Sequence, residues 1–148
     1  MHFILRYRPW IVDTICLLFV VLFTYAAVSK LLEFEKFRAQ LGQSPLLTAF
    51  ADMVVWTIPA VELAISLLLF VPRFRLAALY ASLSLMTLFT AYIVAVLYFS
   101  PYVPCSCGGI LENLGWTEHL VFNLVFIALA IAGIVLYTTP EKTNTTQV

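Results

Sequence analysis

The chain has 148 residues, balances eight basic against eight acidic side chains for a formal charge of zero, and is 63% hydrophobic but only 11% charged. Soluble domains run at roughly 45–50% apolar and about 25% charged residues. The composition therefore excludes an ordinary soluble domain, and the neutral balance argues against nucleic acid as a partner.

Four apolar runs account for the bias: Ile11 to Ser29, Met53 to Val71, Leu76 to Tyr98 and Leu120 to Tyr137. Each is close to the ~20 residues that a helix needs to cross about 30 Å of hydrocarbon. Lipid offers the backbone no hydrogen-bond partners, so spans of this length are helices. The fold class that follows is all-α, a polytopic membrane protein built as a four-transmembrane-helix bundle. It forms one domain over 11–138, with a short N-terminal segment at 1–10 and a polar tail at 139–148.

The first run follows Arg6 and Arg8 and ends in the small residues of "TYAAVSK", so a cleaved signal peptide is an alternative. Asp13 interrupts the run, which exceeds the ~7–15 residues of a signal core, and a retained helix is the reading adopted. Beyond it, Lys30 to Leu41 carries apolar residues at Leu31, Leu32, Phe34, Phe37 and Leu41, the pattern of an amphipathic helix lying at the membrane surface. Glu33–Lys36 and Glu35–Arg38 are spaced to support it weakly, and "GQSP" at 42–45 ends it.

The second run contains Pro59, which removes a backbone hydrogen bond and predicts a kink. One turn on stands Glu62, the costliest residue in the chain. About nine residues into its helix it lies near mid-bilayer, where a carboxylate must find a partner, stay protonated or face a wet cavity. Helices one and two are antiparallel, so Lys30 is its nearest basic candidate if it reaches inward, and Tyr25 is a second possible partner. The pair is read either as a polar clasp between two helices or as a proton relay. Cys16, within helix one, reads as packing, and interfacial solvation is enough to explain Asp13.

"VPRFR" at 71–75 is a tight turn into the third run. Ala77–Ala81, Ala78–Ser82 and Ala91–Ala95 there, and Ala128–Ala132 in the fourth run, are small-residue pairs that let helices approach closely. Tyr98, Phe99, Tyr102 and Trp116 suit an aromatic belt at the interface. A stripe of Trp56, Phe89 and Tyr92 could seat a quinone ring or could simply be bundle packing. Arg6, Arg8, Arg73, Arg75 and Lys142 fall on one side, against Lys30, Lys36 and Arg38 on the other. By the positive-inside rule both termini are cytoplasmic, and the loop after the third helix faces an oxidising compartment.

That loop holds "VPCSCGGILENLGW", Val103 to Trp116. A helix starting at Gly108 or Gly109 and running to Leu114 would put Cys107 at its N-terminus, where free amides favour the thiolate. Cys107 is then the attacking thiolate, Cys105 the resolving thiol, and His119 a proton carrier on the same side. A disulfide across one intervening residue closes a small strained ring, and strained exposed disulfides exchange readily. As a staple it would contribute little, because the entropic gain rises with loop length. Three readings stay open: redox exchange, a local staple or idle thiols, and a soft ion such as Cu(I) on Cys105, Cys107 and His119. The last lacks a fourth ligand, and Met1, Met53 and Met86 all lie away from the cysteines.

"SKLLEFEKF" after the first span, "SPLL", "IPAVELAISLLL" and "PCSCGG", in this order, resemble the MauE family, named for methylamine utilisation, within the wider DoxX-like membrane proteins. The resemblance runs from about Asp13 to Tyr137. It implies a four-helix, redox-associated protein of the bacterial inner membrane, with Lys30, Glu62, Cys105 and Cys107 as the positions to carry over. It further implies passage of disulfide equivalents between periplasmic thiols and either a thioredoxin-like protein or a membrane quinone, the family being linked to maturation of a disulfide-rich periplasmic dehydrogenase. Quinone-linked disulfide-forming proteins of similar architecture carry a Cys-x-x-Cys and a second shuttle pair. This chain has one Cys-x-Cys and no second external pair, so exchange would run directly with a partner's thiols. The rival expectation is a non-enzymatic membrane scaffold or a Cu(I)-binding subunit.

Overall fold

The computed structural model describes residues 2–43, 47–99 and 115–139. Among these residues five α-helices follow one another: α1 (His2–Leu32), α2 (Phe34–Gln43), α3 (Ala51–Phe70), α4 (Arg75–Phe99) and α5 (Trp116–Thr138), with single 3₁₀ turns leading into α3 and α4. Four segments are long and apolar enough to span a bilayer, Tyr7–Leu32, Thr48–Phe70, Pro72–Phe99 and Thr117–Thr138. The protein is thus an all-helical, multi-pass membrane bundle.

Around the bundle, α1 packs on α3 and α5, while α4 sits opposite α1 and touches the same two neighbours. The buried face of α1 is Val12, Ile15, Cys16, Phe19, Phe23 and Ala27, steps of three or four residues that keep one stripe inward. Phe19 anchors the centre. Its ring lies 5.7 Å from that of Phe23 and 5.3 Å, edge-on, from Phe126 of α5. Large apolar residues elsewhere, such as Leu17, Leu67 and Val135, point outward, as lipid-facing residues do.

Small residues let the helices close, though not all those the spacing suggested. Ala78 and Ser82 of α4 are fully buried, and the Ser82 hydroxyl donates to the Ala78 carbonyl at 2.8 Å. Ala77, Ala91 and Ala128 instead face outward. On α5 the close approach is made by Ala130, fully buried, and by Gly133. A Cβ at Gly133 would stand 3.2 Å from Ile15 Cγ2 and 3.4 Å from Leu79 Cδ2, so this position is where α5 meets both α1 and α4.

One end of the bundle is tied by cations on helix C-termini. Arg8 donates through Nε to the Leu136 carbonyl and through Nη2 to the Tyr137 carbonyl, the latter at 2.9 Å. Arg75 donates through Nε to the Leu69 carbonyl at 3.2 Å and pairs through Nη1 with Asp13 at 2.6 Å. Asp13 therefore has an ionic partner across the bundle, where solvation alone was expected. Each arginine also meets the negative end of a helix dipole.

At the other end α1 runs three residues past Ser29, and the hydrogen-bond ladder continues across Glu33 into α2 through Glu33 N–H to Ser29 and Phe37 N–H to Glu33. The face of α2 expected to meet lipid is turned inward. Phe37 and Leu41 are buried against Val55 of α3, with Phe34 and Val54 around them. Lys36 lies 3.6 Å from Glu33, but Arg38 reaches across to Asp52 at 2.7 Å instead of pairing along its own helix with Glu35. Tertiary contact with α3 sets both choices. Helix α3 itself continues through Pro59 without a break.

Gly133→Leu should destabilise the bundle by about 1–3 kcal/mol, the usual cost of overpacking. Nothing lies within 4 Å of a Cβ at Gly42, so Gly42→Ala in α2 should be neutral or stabilising by up to ~1 kcal/mol. Thermal unfolding in one detergent checks both, and equal effects would contradict the packing described.

Candidate functional site

The site is built on the end of the bundle where α1 finishes, α3 begins, α4 ends and α5 starts. Lys30 lies in the last turn of α1 and reaches inward: its Nζ stands 2.8 Å from Glu62 Oε1. The Glu62 residue is wholly buried, whereas the Lys30 side chain keeps 19% of its surface exposed. The ammonium also lies 3.4 Å from the Ala26 carbonyl and near the rings of Phe37 and Phe89, at 5.9 and 5.8 Å from their centroids. Two aromatic faces and a carboxylate thus replace the water it has lost. Ser66, one turn past Glu62, donates to the Glu62 carbonyl at 3.0 Å.

This pair forms part of the wall of a cavity of about 320 Å³. Phe23 and Ala26 of α1, Phe37 of α2, Ile58 of α3, Phe89 of α4 and Phe122 of α5 supply much of the apolar lining. Tyr25, the other candidate for Glu62, lines the same space. His119, half-buried in the first turn of α5, also lines it, and its backbone N–H donates to the Gly115 carbonyl at 3.0 Å. Lys30, Glu62 and His119 therefore share one cavity.

Asn123, one helical turn beyond His119, is the site residue that the sequence reading passed over. It is 2% exposed and lines the cavity. A lone amide inside an apolar run carries the same signal as Glu62, in weaker form. The aromatic stripe is corrected: Phe89 and Tyr92 line the cavity, but Trp56 is 61% exposed on the outer face of α3, against Phe34 at 4.8 Å. Helical phase separates Trp56 from the other two.

Cys105, Cys107, the short helix expected after them and Tyr102 lie outside the described residues. Phe99 and Gly115, which flank that stretch, stand at the cavity end of the bundle. Cys16 is a free thiol buried in the core near the opposite end. Among the described residues, no three His, Cys, Asp or Glu side chains gather where a metal ion could be held.

Removing one partner of a buried ion pair strands the other charge, at a cost of about 3–5 kcal/mol, whereas an apolar pair of similar volume is often neutral. Lys30→Ala should lower stability by that amount, and Lys30→Met with Glu62→Leu should recover most of it. Chemical denaturation in a fixed micelle reads the cycle. A double variant no more stable than Lys30→Ala would show that the two charges do not compensate each other.

Comparison with known proteins identifies relatives of this chain. Residues 8–136 match the family described as "Methylamine utilisation protein MauE". A methylamine utilization protein MauE from Paracoccus denitrificans is 30% identical over 129 residues, which span 84% of this chain and 69% of that protein. No solved structure matches the chain. With the match extending over almost the whole helical bundle, the chain belongs to the MauE family.

Proposed function

We propose that this protein exchanges disulfide and dithiol equivalents with periplasmic proteins through Cys105 and Cys107, in support of their maturation or electron transfer. The observation that carries the reading is the position of the cavity. Lys30 of α1, Glu62 of α3 and His119 in the first turn of α5 line it, and the residues connecting α4 to α5 include Cys-Ser-Cys. The relative's name ties it to methylamine utilisation, and this chain is read as serving the same kind of process. The DoxX-like proteins are its wider group in this reading.

The topology that goes with it puts residues 1–10 and 139–148 in the cytoplasm, the bundle of 11–138 in the bacterial inner membrane and the cysteine loop outside. The asymmetry of Arg6, Arg8, Arg73 and Arg75 supports this orientation. The partner is a thioredoxin-like protein or a periplasmic substrate protein. In the reducing direction, the Cys107 thiolate attacks one sulfur of the partner's disulfide, and the other sulfur leaves as a thiolate that takes up a proton. Cys105 then loses its proton and attacks Cys107 Sγ. This closes the Cys105–Cys107 disulfide and releases the partner as a dithiol, two electrons richer. The reverse sequence oxidises a partner. His119 carries the proton, and the Lys30–Glu62 pair holds the site's helices together.

Without its resolving thiol, a mixed disulfide persists. Cys105→Ser should therefore accumulate a reductant-sensitive adduct with a partner on non-reducing gels of whole cells. Cys107→Ser should give far less adduct, and the double variant none. Full cellular function in the double variant, with no adduct from either single one, would sink the exchange reading in favour of a scaffold.

A further inference from the structure

The cavity contains polar atoms that the thiol chemistry does not use. Its lining is mostly carbon, with Phe23, Phe37, Phe89, Tyr92 and Phe122 around it. Its volume of about 320 Å³ falls within the ~300–1,000 Å³ of small-molecule pockets. The buried atoms on the lining residues that lack hydrogen-bond partners among the described residues include Glu62 Oε2 and Asn123 Nδ2, besides Glu33 Oε2, which has the Lys36 ammonium 3.6 Å away. Glu62 is 0% and Asn123 2% exposed. Buried polar groups are nearly always paired, and an unpaired one points to a missing partner.

The two atoms specify complementary chemistry. Glu62 Oε2, in a carboxylate bound to Lys30, accepts a hydrogen bond, and the Asn123 amide donates one. A ligand that satisfies both must carry a hydroxyl for the first and an oxygen acceptor for the second. The remainder must be apolar and dissolve in the bilayer, because the cavity lies within the spans, and an aromatic ring suits walls of this kind. A hydroquinone meets each requirement. The corresponding quinone meets only one, since its carbonyls accept and do not donate.

We propose that this cavity binds the head group of a lipid-soluble hydroquinone, with a ring hydroxyl donating to Glu62 Oε2 and a ring oxygen accepting from Asn123 Nδ2. As a binding site the assignment is independent of the cysteines. As their electron partner it rests on the exchange reading above. In that role the dithiol of Cys105 and Cys107 gives two electrons and two protons to a quinone, which becomes the hydroquinone while the cysteines close their disulfide.

The test uses the full chain in quinone-free lipid nanodiscs, titrated calorimetrically with a short-tailed ubiquinol analogue under anaerobic reduction and with the matching quinone. Saturable binding is expected, with the hydroquinone tighter by roughly fivefold, the worth of one net hydrogen bond. Asn123→Leu should weaken both forms by about the same factor, and Ala26→Phe, which fills the cavity, should abolish binding. Asn123 carries the test because Glu62→Gln also disturbs the ion pair. The Cys105→Ser/Cys107→Ser protein should bind as the wild type does. Binding by that variant in a protein that traps no partner in cells keeps the site and removes the exchange reading. Failure of the wild type to bind either ring form overturns the site and leaves the exchange reading standing. Equal displacement by diacylglycerol would also overturn it, by assigning the cavity to a lipid hydroxyl.

Discussion

The contact between Lys30 and Glu62 is the constraint from which the rest of the site follows. A carboxylate in the middle of a span costs several kcal/mol unless it is compensated, so α3 can keep Glu62 only if a cation is brought to it. Lys30 is the last-turn cation of α1, and its long stem lets the ammonium reach 2.8 Å from Oε1 while the backbone stays near the end of the helix. Phe37 and Phe89 then pack beside the charge. Because Phe37 belongs to α2, the ion pair also helps draw that short helix over the end of the bundle. Its position is therefore set by α3 and Lys30.

The two ends of the bundle are consequently unlike. At one, Arg8 and Arg75 satisfy terminal carbonyls of α5 and α3, Asp13 meets Arg75, and the Tyr137 hydroxyl donates to the Pro72 carbonyl at 3.1 Å. Polar groups there are spent on one another. At the other end the helices surround an apolar cavity whose lining residues, among those described, include an unpaired carboxylate oxygen on Glu62 and an unpaired amide nitrogen on Asn123. Polar side chains are paired off at the first end, whereas the buried Lys30–Glu62 pair and the cavity belong to the second, where the segment bearing Cys105 and Cys107 joins α4 to α5.

Much of this was legible in the residues themselves. Span number and helical class follow from run length and the absence of water in lipid, which leave the backbone few alternatives. Glu62 was conspicuous because a carboxylate in such a run is expensive, and topology pointed to Lys30. What local spacing leaves open for Trp56, the small residues and α2 is the phase of a helix relative to its neighbours. An all-round apolar helix carries almost no amphipathic signal, so Trp56 could not be separated from Phe89 and Tyr92. The small residues that make contact, Ala78, Ser82 and Gly133, looked no different from Ala91 or Ala128. The inward face of α2 depended on Val55 of α3, which local spacing does not encode. Asn123 was overlooked because an amide is less costly in lipid than a carboxylate.

The proposed function requires that the cavity end of the bundle face outward with Cys105 and Cys107 as an exchangeable pair. It is tested most directly by labelling intact cells with a membrane-impermeant maleimide, with and without prior mild reduction, and weighing the purified protein. The prediction is that both cysteines label only after reduction, while Cys16, buried in α1, does not label in either case. Absence of label on Cys105 and Cys107 even after reduction would contradict the proposal.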